Sequence, residues 1–371
     1  MPKFANVMQL GFKELRALLR DPAMMTLIAY AFTLSIYASA TGVPETPHRA
    51  AIAVVDEDRS AASQRILDAL QEPYFLEPQL TGHDEMDEGM DDGRYTFTLD
   101  IPPNFQRDLL DGNKVTLQLN VDATQISQAF TGAGYLQQII NSEVASFLYG
   151  PEETGTPLVQ AVVRIAYNPN LTASWFGAVN DVINHVTMLS IILTGAALIR
   201  EREHGTIEHL LVTPVTPFEI MLAKVWSMGL VVLVAATLAL RLVVNIWLEV
   251  PLAGSFILFL FGAMLHLFAT TSMGIFFGTV ARSMPQLGLL IILTLIPLQM
   301  LSGGTTPRES MPELIQNIML AAPTTHFVML GQSILFRGAG LSVVWPQLMM
   351  LAVIGTLFFG VALSRLRKSL A

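Results

Sequence analysis

The sequence has no cysteine and few charged residues. Cysteine is absent from all 371 positions, which excludes disulfide bonds, thiolate metal sites and a catalytic thiol. Charged residues make up only 14% of the chain, against about 25% in ordinary soluble proteins, and hydrophobic residues make up 52%. Such a chain cannot cover itself with a soluble surface. The composition therefore predicts a membrane protein, any outer part of which folds on its hydrophobic core alone.

The sequence also lacks the signatures of several catalytic and metal sites. It contains no Gly-x-x-x-x-Gly-Lys-Ser/Thr motif, so it does not bind ATP through a phosphate-binding loop. His204 and His209 lack the His-Glu-x-x-His arrangement of zinc proteases. We therefore predict that this chain is not an enzyme and holds no metal and no cofactor of its own.

Apolar segments of bilayer length occur six times in the sequence. Lys and Arg concentrate before the first segment, between the second and third, between the fourth and fifth, and after the sixth. Because basic residues mark the cytoplasmic side, this pattern predicts that both termini are cytoplasmic. The predicted spans are Ala23–Thr41, Asn180–Ile199, Leu222–Arg241, Ser255–Val280, Met284–Ser302 and Leu341–Ser364.

The region 1–22, before the first span, has the pattern of an amphipathic helix. Apolar residues such as Val7, Leu15 and Leu18 fall largely on one helical face, and charged residues fall mostly on the other. Such a helix either lies on the cytoplasmic leaflet of the membrane or packs on a partner protein.

The region 42–179, between the first two spans, is rich in Asp and Glu and changes its periodicity. Short strand-like runs alternate with helical runs, which predicts an extracytoplasmic α/β domain inserted between the first and second transmembrane helices. Its acidity argues against nucleic acid as a partner. The acidic run 84–92 fits either a solvated helix face or a site for cations. The predicted strands are Ala51–Val55, Tyr95–Ile101, Val115–Val121 and Val159–Tyr167, and the predicted helices are Ser60–Gln71 and Ala123–Phe147.

Polar residues inside the predicted spans are candidates for a transport pathway. They equally fit hydrogen bonds between helices, or, for an arginine, a side chain that reaches to the interface. Gly274 and Gly278 form a Gly-x-x-x-Gly pattern that lets helices approach closely, within one chain or between two. The candidate pathway residues are Asn184, His185, Arg241 and His266.

The predicted cytoplasmic loop 200–221 carries the most informative sequence. Physically it reads as a charged turn at 200–203, a short helix over 207–212 and a break at Pro214 and Pro217. Its sequence, with Lys224 at the end, is EREHGTIEHLLVTPVTPFEIMLAK. This resembles the E-x-G-T-x-E-x-L-x-x-T-P pattern of the ABC-2-type membrane subunits of ATP-binding-cassette exporters. The resemblance implies that the segment couples the chain to an ATPase through Glu201, Glu203, Gly205, Thr206, Glu208, Leu210, Thr213, Pro214 and Lys224.

A second stretch, 302–340, resembles the outer helix-break-helix that precedes the last span in the same family. Two apolar runs, Met311–Leu320 and Thr325–Phe336, are each too short to cross a bilayer. They therefore dip into the outer leaflet as re-entrant helices, or form an amphipathic loop on the surface. The resemblance implies an outer gate that includes Ser302, Gly303, Pro307, Met311, Pro312 and Pro323.

Together these features favour the permease subunit of an ATP-binding-cassette exporter in the bacterial inner membrane. The resemblance implies that ATP and magnesium are bound by a separate ATP-binding subunit. It also implies a second permease copy or paralogue and a periplasmic adaptor as partners. The alternative is a membrane-anchored sensor or binding protein that uses the acidic extracytoplasmic domain and has no ATPase partner.

Overall fold

The computed structural model describes residues 4–42, 50–71, 74–122, 126–150, 173–203, 215–306, 308 and 311–370. The chain divides into two compact units. The first, called here the membrane unit, contains Met1–Gly42 and Tyr167–Ala371. The second, called the insert, contains Val43–Ala166.

In the part of the chain that is described, six helices of the membrane unit are long and apolar enough to cross a bilayer. Each overlaps one of the predicted spans, because an uninterrupted apolar run of this length has few other stable folds. Numbered first to sixth below, the spans are Pro22–Gly42, Trp175–Glu203, Pro217–Trp247, Phe256–Val280, Met284–Leu301 and Leu341–Lys368.

The helices of the membrane unit are mostly regular, with two π-helical stretches. The first span contains a π-helical turn at Ala31–Ser35, and the third ends in a longer one at Ala239–Trp247. The α-helices of the unit are Phe4–Leu19, Pro22–Tyr30, Ile36–Gly42, Ala173–Glu203, Pro217–Leu238, Phe256–Val280, Met284–Leu301, Glu313–Met319, Pro323–Leu335 and Leu341–Leu370.

The loop between the second and third spans is shorter in the structure than the predicted range 200–221. Residues 200–203 form the last turn of the second span rather than a free charged turn. The third span already starts at Pro217, because Thr216 and Glu219 cap it reciprocally: each side chain accepts a hydrogen bond from the other residue's backbone N–H. The prediction was wrong here because side-chain contacts extend both helices beyond their apolar runs.

The second and fourth spans form the centre of the membrane unit. The second span is 78% buried, whereas the fifth is only 17% buried. Gly274 and Gly278 of the fourth span face the second span: a Cβ at Gly274 would lie 2.6 Å from the Ile191 carbonyl oxygen. The Gly-x-x-x-Gly pattern therefore packs two spans of this same chain.

The described part of 302–340, the region predicted to be re-entrant, contains two short α-helices, Glu313–Met319 and Pro323–Leu335, bent by 89° relative to each other. The predicted pair is therefore present. Pro323 lies in the first turn of the second helix rather than between the helices, where its missing N–H costs no helical hydrogen bond.

The described part of the insert contains a four-stranded sheet with helices between the strands. Its strands are β1 (Ile52–Asp56), β2 (Gln79–Leu80), β3 (Phe97–Ile101) and β4 (Gln118–Val121). The order is β2-β1-β3-β4, with β1 parallel to β2 and β3, and β4 antiparallel to β3. The helices are Ala61–Ala69, His83–Asp91, Phe105–Leu110 and Ile126–Tyr149.

The sequence pattern of the insert explains its core and its acidic surface. Buried β1 and β3 supply aliphatic and aromatic residues to one hydrophobic cluster. Four residues of the acidic run, Asp84, Glu85, Asp87 and Glu88, are exposed on the helix His83–Asp91. Across the described residues, no group of three or more His, Asp or Glu is placed to hold a metal ion. The predicted strand at 159–167 lies outside the described residues.

Candidate functional site

A buried ionic cluster joins three elements at one end of the membrane unit. The Lys224 Nζ lies 2.8 Å from Glu14 Oε1 and 2.8 Å from Glu201 Oε2. The Lys13 Nζ lies 3.4 Å from Glu201 Oε1 at the exposed edge. The lysine side chain at 224 is only 2% exposed. This set of four residues, called the ionic cluster below, ties the N-terminal helix Phe4–Leu19 to the end of the second span and the start of the third.

The electrostatics of the ionic cluster reflect two carboxylates that share one buried ammonium. Burial raises the pKa of the Glu14 carboxyl above its ordinary value of 4.5, against the lowering attraction of Lys224. Removing the carboxylates and the ammonium from water is costly. The cluster is stable only because these groups contact each other closely. Glu14 therefore belongs to the site although the sequence motif does not include it.

Further contacts hold the N-terminal helix against the third span. The Asn6 Nδ2 donates to Glu219 Oε1 at 3.2 Å, and the Trp226 Nε1 donates to the Val7 carbonyl oxygen at 3.3 Å. The amphipathic helix predicted to lie on the leaflet or on a partner thus packs on the third span of its own chain.

The last turn of the second span contacts three other spans at the same end. The Arg202 Nη1 donates to the carbonyl oxygens of Gly278 at 3.1 Å and Ala281 at 3.0 Å. The Glu203 Oε1 accepts from the Met284 backbone N–H at 3.2 Å, and Arg200 forms an ion pair with Asp21. This turn therefore connects the first, fourth and fifth spans.

Three predicted coupling residues thus lie in or beside this end: Glu201 and Lys224 in the ionic cluster and Glu203 next to the fifth span. The other predicted coupling residues fall within 204–214, outside the described residues: Gly205, Thr206, Glu208, Leu210, Thr213 and Pro214. Both flanks of that segment, Glu203 and Thr216, are anchored by hydrogen bonds. A displacement of the segment would therefore act directly on the second and third spans.

The predicted pathway residues make contacts between helices. The buried His266 Nε2 lies 2.8 Å from Thr187 Oγ1 of the second span, and its ring stacks on Phe327 at 4.2 Å. The His185 Nε2 lies 3.2 Å from Ser35 Oγ of the first span. Arg241, at the surface of the third span, holds its guanidinium 4.2 Å from the centre of the Phe256 ring. Asn184 is half-buried on the second span.

The predicted outer-gate residues lie at the opposite end of the membrane unit. The fifth span starts beside Glu203 and ends at Leu301, so the residues that follow it are at the far end. Ser302, Met311 and Pro323 are buried there, Gly303 is half-buried and Pro312 is exposed. Pro307 lies outside the described residues.

Comparison with known proteins gives a match over nearly the whole chain. Residues 23–364 match the family described as "ABC-2 family transporter protein". The chain belongs to the ABC-2 transporter family. It is similar to "Inner membrane transport permease YhhJ" of Escherichia coli (strain K12), with 59% identity over 370 residues, covering 100% of this chain and 99% of that one.

Two more distant relatives also match along nearly the whole chain. The chain is 30% identical over 349 residues to "Probable multidrug ABC transporter permease YbhR" of Escherichia coli (strain K12), covering 92% and 93% of the two chains. It is 24% identical over 368 residues to "Probable multidrug ABC transporter permease YbhS" of the same strain, covering 98% and 97%. The resemblance drawn from the two sequence motifs is therefore confirmed, and the chain is a permease-type subunit of an ABC-2 transporter. The roles of individual ABC-2 motif residues stay predictions.

Proposed function

We propose that this ABC-2 chain is the membrane-spanning subunit of an exporter in the bacterial inner membrane. ATP and magnesium are bound by a separate ATP-binding subunit, and the chain itself catalyses no reaction. Family membership and the permease names of the relatives support transport. The basic flanks of the spans support cytoplasmic termini, which makes the insert extracytoplasmic.

The ionic cluster is the observation that carries the coupling part of the proposal. The ATP-binding subunit docks on the segment 204–214, whose flanks begin and end at helices fixed by Glu203 and Thr216. Lys224 binds Glu14 and Glu201 at 2.8 Å each, so a push on the segment moves three helices as one body. That movement changes the packing of the second and third spans and opens the gate at the opposite end.

The exposed apolar surfaces of the membrane unit support a second permease copy or a paralogue beside this chain. Leu289 and Leu293 of the fifth span are 68% and 74% exposed, and only 17% of that span is buried by the described chain. The insert would then hand substrate on to a periplasmic adaptor.

Copurification tests the proposal. The chain is expressed with the products of its neighbouring genes and extracted into lipid nanodiscs. The stoichiometry and ATP hydrolysis of any complex with an ATP-binding subunit are then measured. We expect an equimolar complex for the wild type. The Glu203→Gln/Glu208→Gln double variant is expected to lose either the bound ATPase or its coupling to transport, because both carboxylates flank or lie in the docking segment.

The control is Glu313→Gln, which removes an exposed carboxylate at the opposite end of the membrane unit. It is expected to keep the complex and its activity. Full transport by the double variant contradicts the coupling assignment. A chain that purifies without any ATPase, while its insert binds a ligand, instead supports the membrane-anchored sensor.

A further inference from the structure

A cavity of about 410 Å³ opens at the end of the membrane unit opposite the ionic cluster. Its walls come from the start of the second span, the loop after the fifth span and the helix Pro323–Leu335 with the residues that follow it. A volume in this range is typical of sites that hold a small organic molecule.

Two arginines line this cavity without an acidic partner. Among the described residues, neither Arg308 nor Arg337 forms an ion pair. The Arg308 Nη1 contacts the sulfur of Met329 at 3.5 Å, and its buried Nε has no hydrogen-bond acceptor among the described residues. A buried charged donor without an acceptor is costly, so this guanidinium is arranged for an acceptor that comes from outside the chain.

The backbone beside Arg308 is shaped to leave room for it. Gly303 has a φ of +96°, a conformation that side chains rarely adopt, and a Cβ there would lie 3.2 Å from Arg308 Cγ. The position of the arginine at the cavity wall is therefore built into the loop after the fifth span.

The rest of the wall is largely apolar. Phe176, which packs on Phe336 with ring centres 4.3 Å apart, faces the cavity together with Val328 and Met329. The Gln332 side chain also lines the cavity and adds a neutral polar group to it. The cavity thus combines two cationic groups with an apolar surface.

We infer that this cavity binds an acidic amphiphile, in which a carboxylate, sulfonate or phosphate contacts Arg308 and Arg337 and an apolar body contacts Phe176, Val328 and Met329. Guanidinium groups suit such anions because their N–H groups match two oxygens at once. The assignment of this ligand as transported substrate rests on the exporter function proposed above. The same chemistry is also offered by the phosphate of a membrane lipid.

Fluorescence binding to the full-length chain tests this inference. The probe is 11-(dansylamino)undecanoic acid, and its uncharged primary amide is the matched ligand. Both are titrated into the chain in phosphatidylcholine nanodiscs, with empty nanodiscs subtracted. We expect the acid to bind saturably and the amide to bind about tenfold or more weakly, as expected for the loss of a charge-assisted hydrogen bond.

Three variants separate charge from shape. Arg308→Gln is expected to weaken acid binding by about tenfold or more, since it removes one such bond, and to leave amide binding unchanged. Ser333→Trp keeps both arginines but fills the cavity, so it should weaken both ligands. Arg282→Gln removes an exposed arginine in the turn between the fourth and fifth spans, far from the cavity, and should change neither. The thermal unfolding midpoint of each variant shows that the chain is folded.

Equal binding of acid and amide, or unchanged acid binding in a folded Arg308→Gln variant, would overturn the inference. Mass spectrometry of nanodiscs that contain phosphatidylglycerol distinguishes the two sources. Lipid retained by the wild type and lost in Arg308→Gln identifies a lipid as the occupant. Acid binding without retained lipid identifies a soluble acid. No ATPase takes part in either assay, so a failure here is separate from a failure of the coupling proposal.

Discussion

The two ends of the membrane unit treat their cations in opposite ways. At one end Lys224 binds two carboxylates, and Arg200 forms an ion pair with Asp21. At the other end Arg308 and Arg337 have no acidic partner among the described residues, and a cavity lies beside them. A paired buried charge fixes the helices that carry it, whereas an unpaired one at a cavity is available to a ligand. The contacts at the first end hold its helices together, and the second end is the binding site that we propose.

The interior between the two ends supplies a contact that links them. His266 of the fourth span reaches Thr187 of the second span at 2.8 Å and stacks on Phe327 at 4.2 Å. Phe327 belongs to the helix Pro323–Leu335, which also lines the cavity. We propose that a shift of the second span at the ionic cluster reaches the cavity through this contact.

The largest expected effect is the removal of Lys224, which breaks the paired end. Lys224→Met leaves Glu14 and Glu201 buried without their cation, so we expect a loss of about 3–5 kcal/mol in unfolding free energy. The measurement is the thermal unfolding midpoint and folded yield of the chain in nanodiscs. A midpoint equal to that of the wild type would show that the cluster is hydrated and does not hold the helices.

Two controls sharpen this experiment. Lys13→Met removes the cation at the exposed edge of the same cluster, where the side chain is 53% exposed, and should cost no more than about 1 kcal/mol. The triple variant Glu14→Gln/Glu201→Gln/Lys224→Met removes all the buried charge and should recover most of the stability that Lys224→Met loses.

The contrast between the two ends also marks how far the sequence alone predicts this molecule. The six spans follow from hydropathy because apolar length is a local property of the chain. The strand segments 52–56 and 97–101 follow from local patterns in the same way, whereas the order β2-β1-β3-β4 depends on contacts between distant segments.

The candidate site is predictable only in part for the same reason. The coupling segment predicted around the motif includes Glu201 and Lys224, but Glu14 lies 210 residues away from Lys224 and no local pattern links them. Arg308 and Arg337 were not predicted as binding residues, because no local sequence pattern distinguishes them from other arginines in loops. Arg308 is unusual only in the folded chain, because among the described residues its guanidinium forms no ion pair and its buried Nε has no hydrogen-bond acceptor.

The second expected effect concerns the contact between the two ends. His266→Leu removes the hydrogen bond to Thr187 and the ring stack, so we expect a loss of about 1–3 kcal/mol in unfolding free energy. Thr187→Val removes the same hydrogen bond from the other side. Because the two residues share one interaction, the double variant should cost less than the sum of the single ones. Additive costs would show that the contact contributes nothing to stability.

The smallest expected effect is a pH dependence at the ionic cluster. Burial raises the pKa of Glu14, so the folded chain holds that proton more tightly than the unfolded chain does. The resulting stabilisation is complete below pH 4.5. It is lost as the pH rises through the pKa that Glu14 has in the folded chain. In this window the unfolding midpoint of the wild type should fall relative to that of Glu14→Gln, which carries no titrating group.

Asp58 of the insert is expected to give a pH dependence of stability with the opposite sign. Burial there is outweighed by the hydrogen bonds from Ser60 and the Gln106 backbone N–H, which lower the Asp58 pKa. The stabilisation from the ionised Asp58 is present above pH 3.8 and is lost as the pH falls through the folded pKa. The unfolding midpoint of Asp58→Asn should therefore fall less on acidification than that of the wild type.

The opposite result for Glu14 would be a wild-type midpoint that rises with pH relative to that of Glu14→Gln. The attraction of Lys224 would then exceed the cost of burying the Glu14 carboxylate. The ionised form of Glu14 would then stabilise the ionic cluster, and the contrast with the unpaired arginines at the other end would be larger.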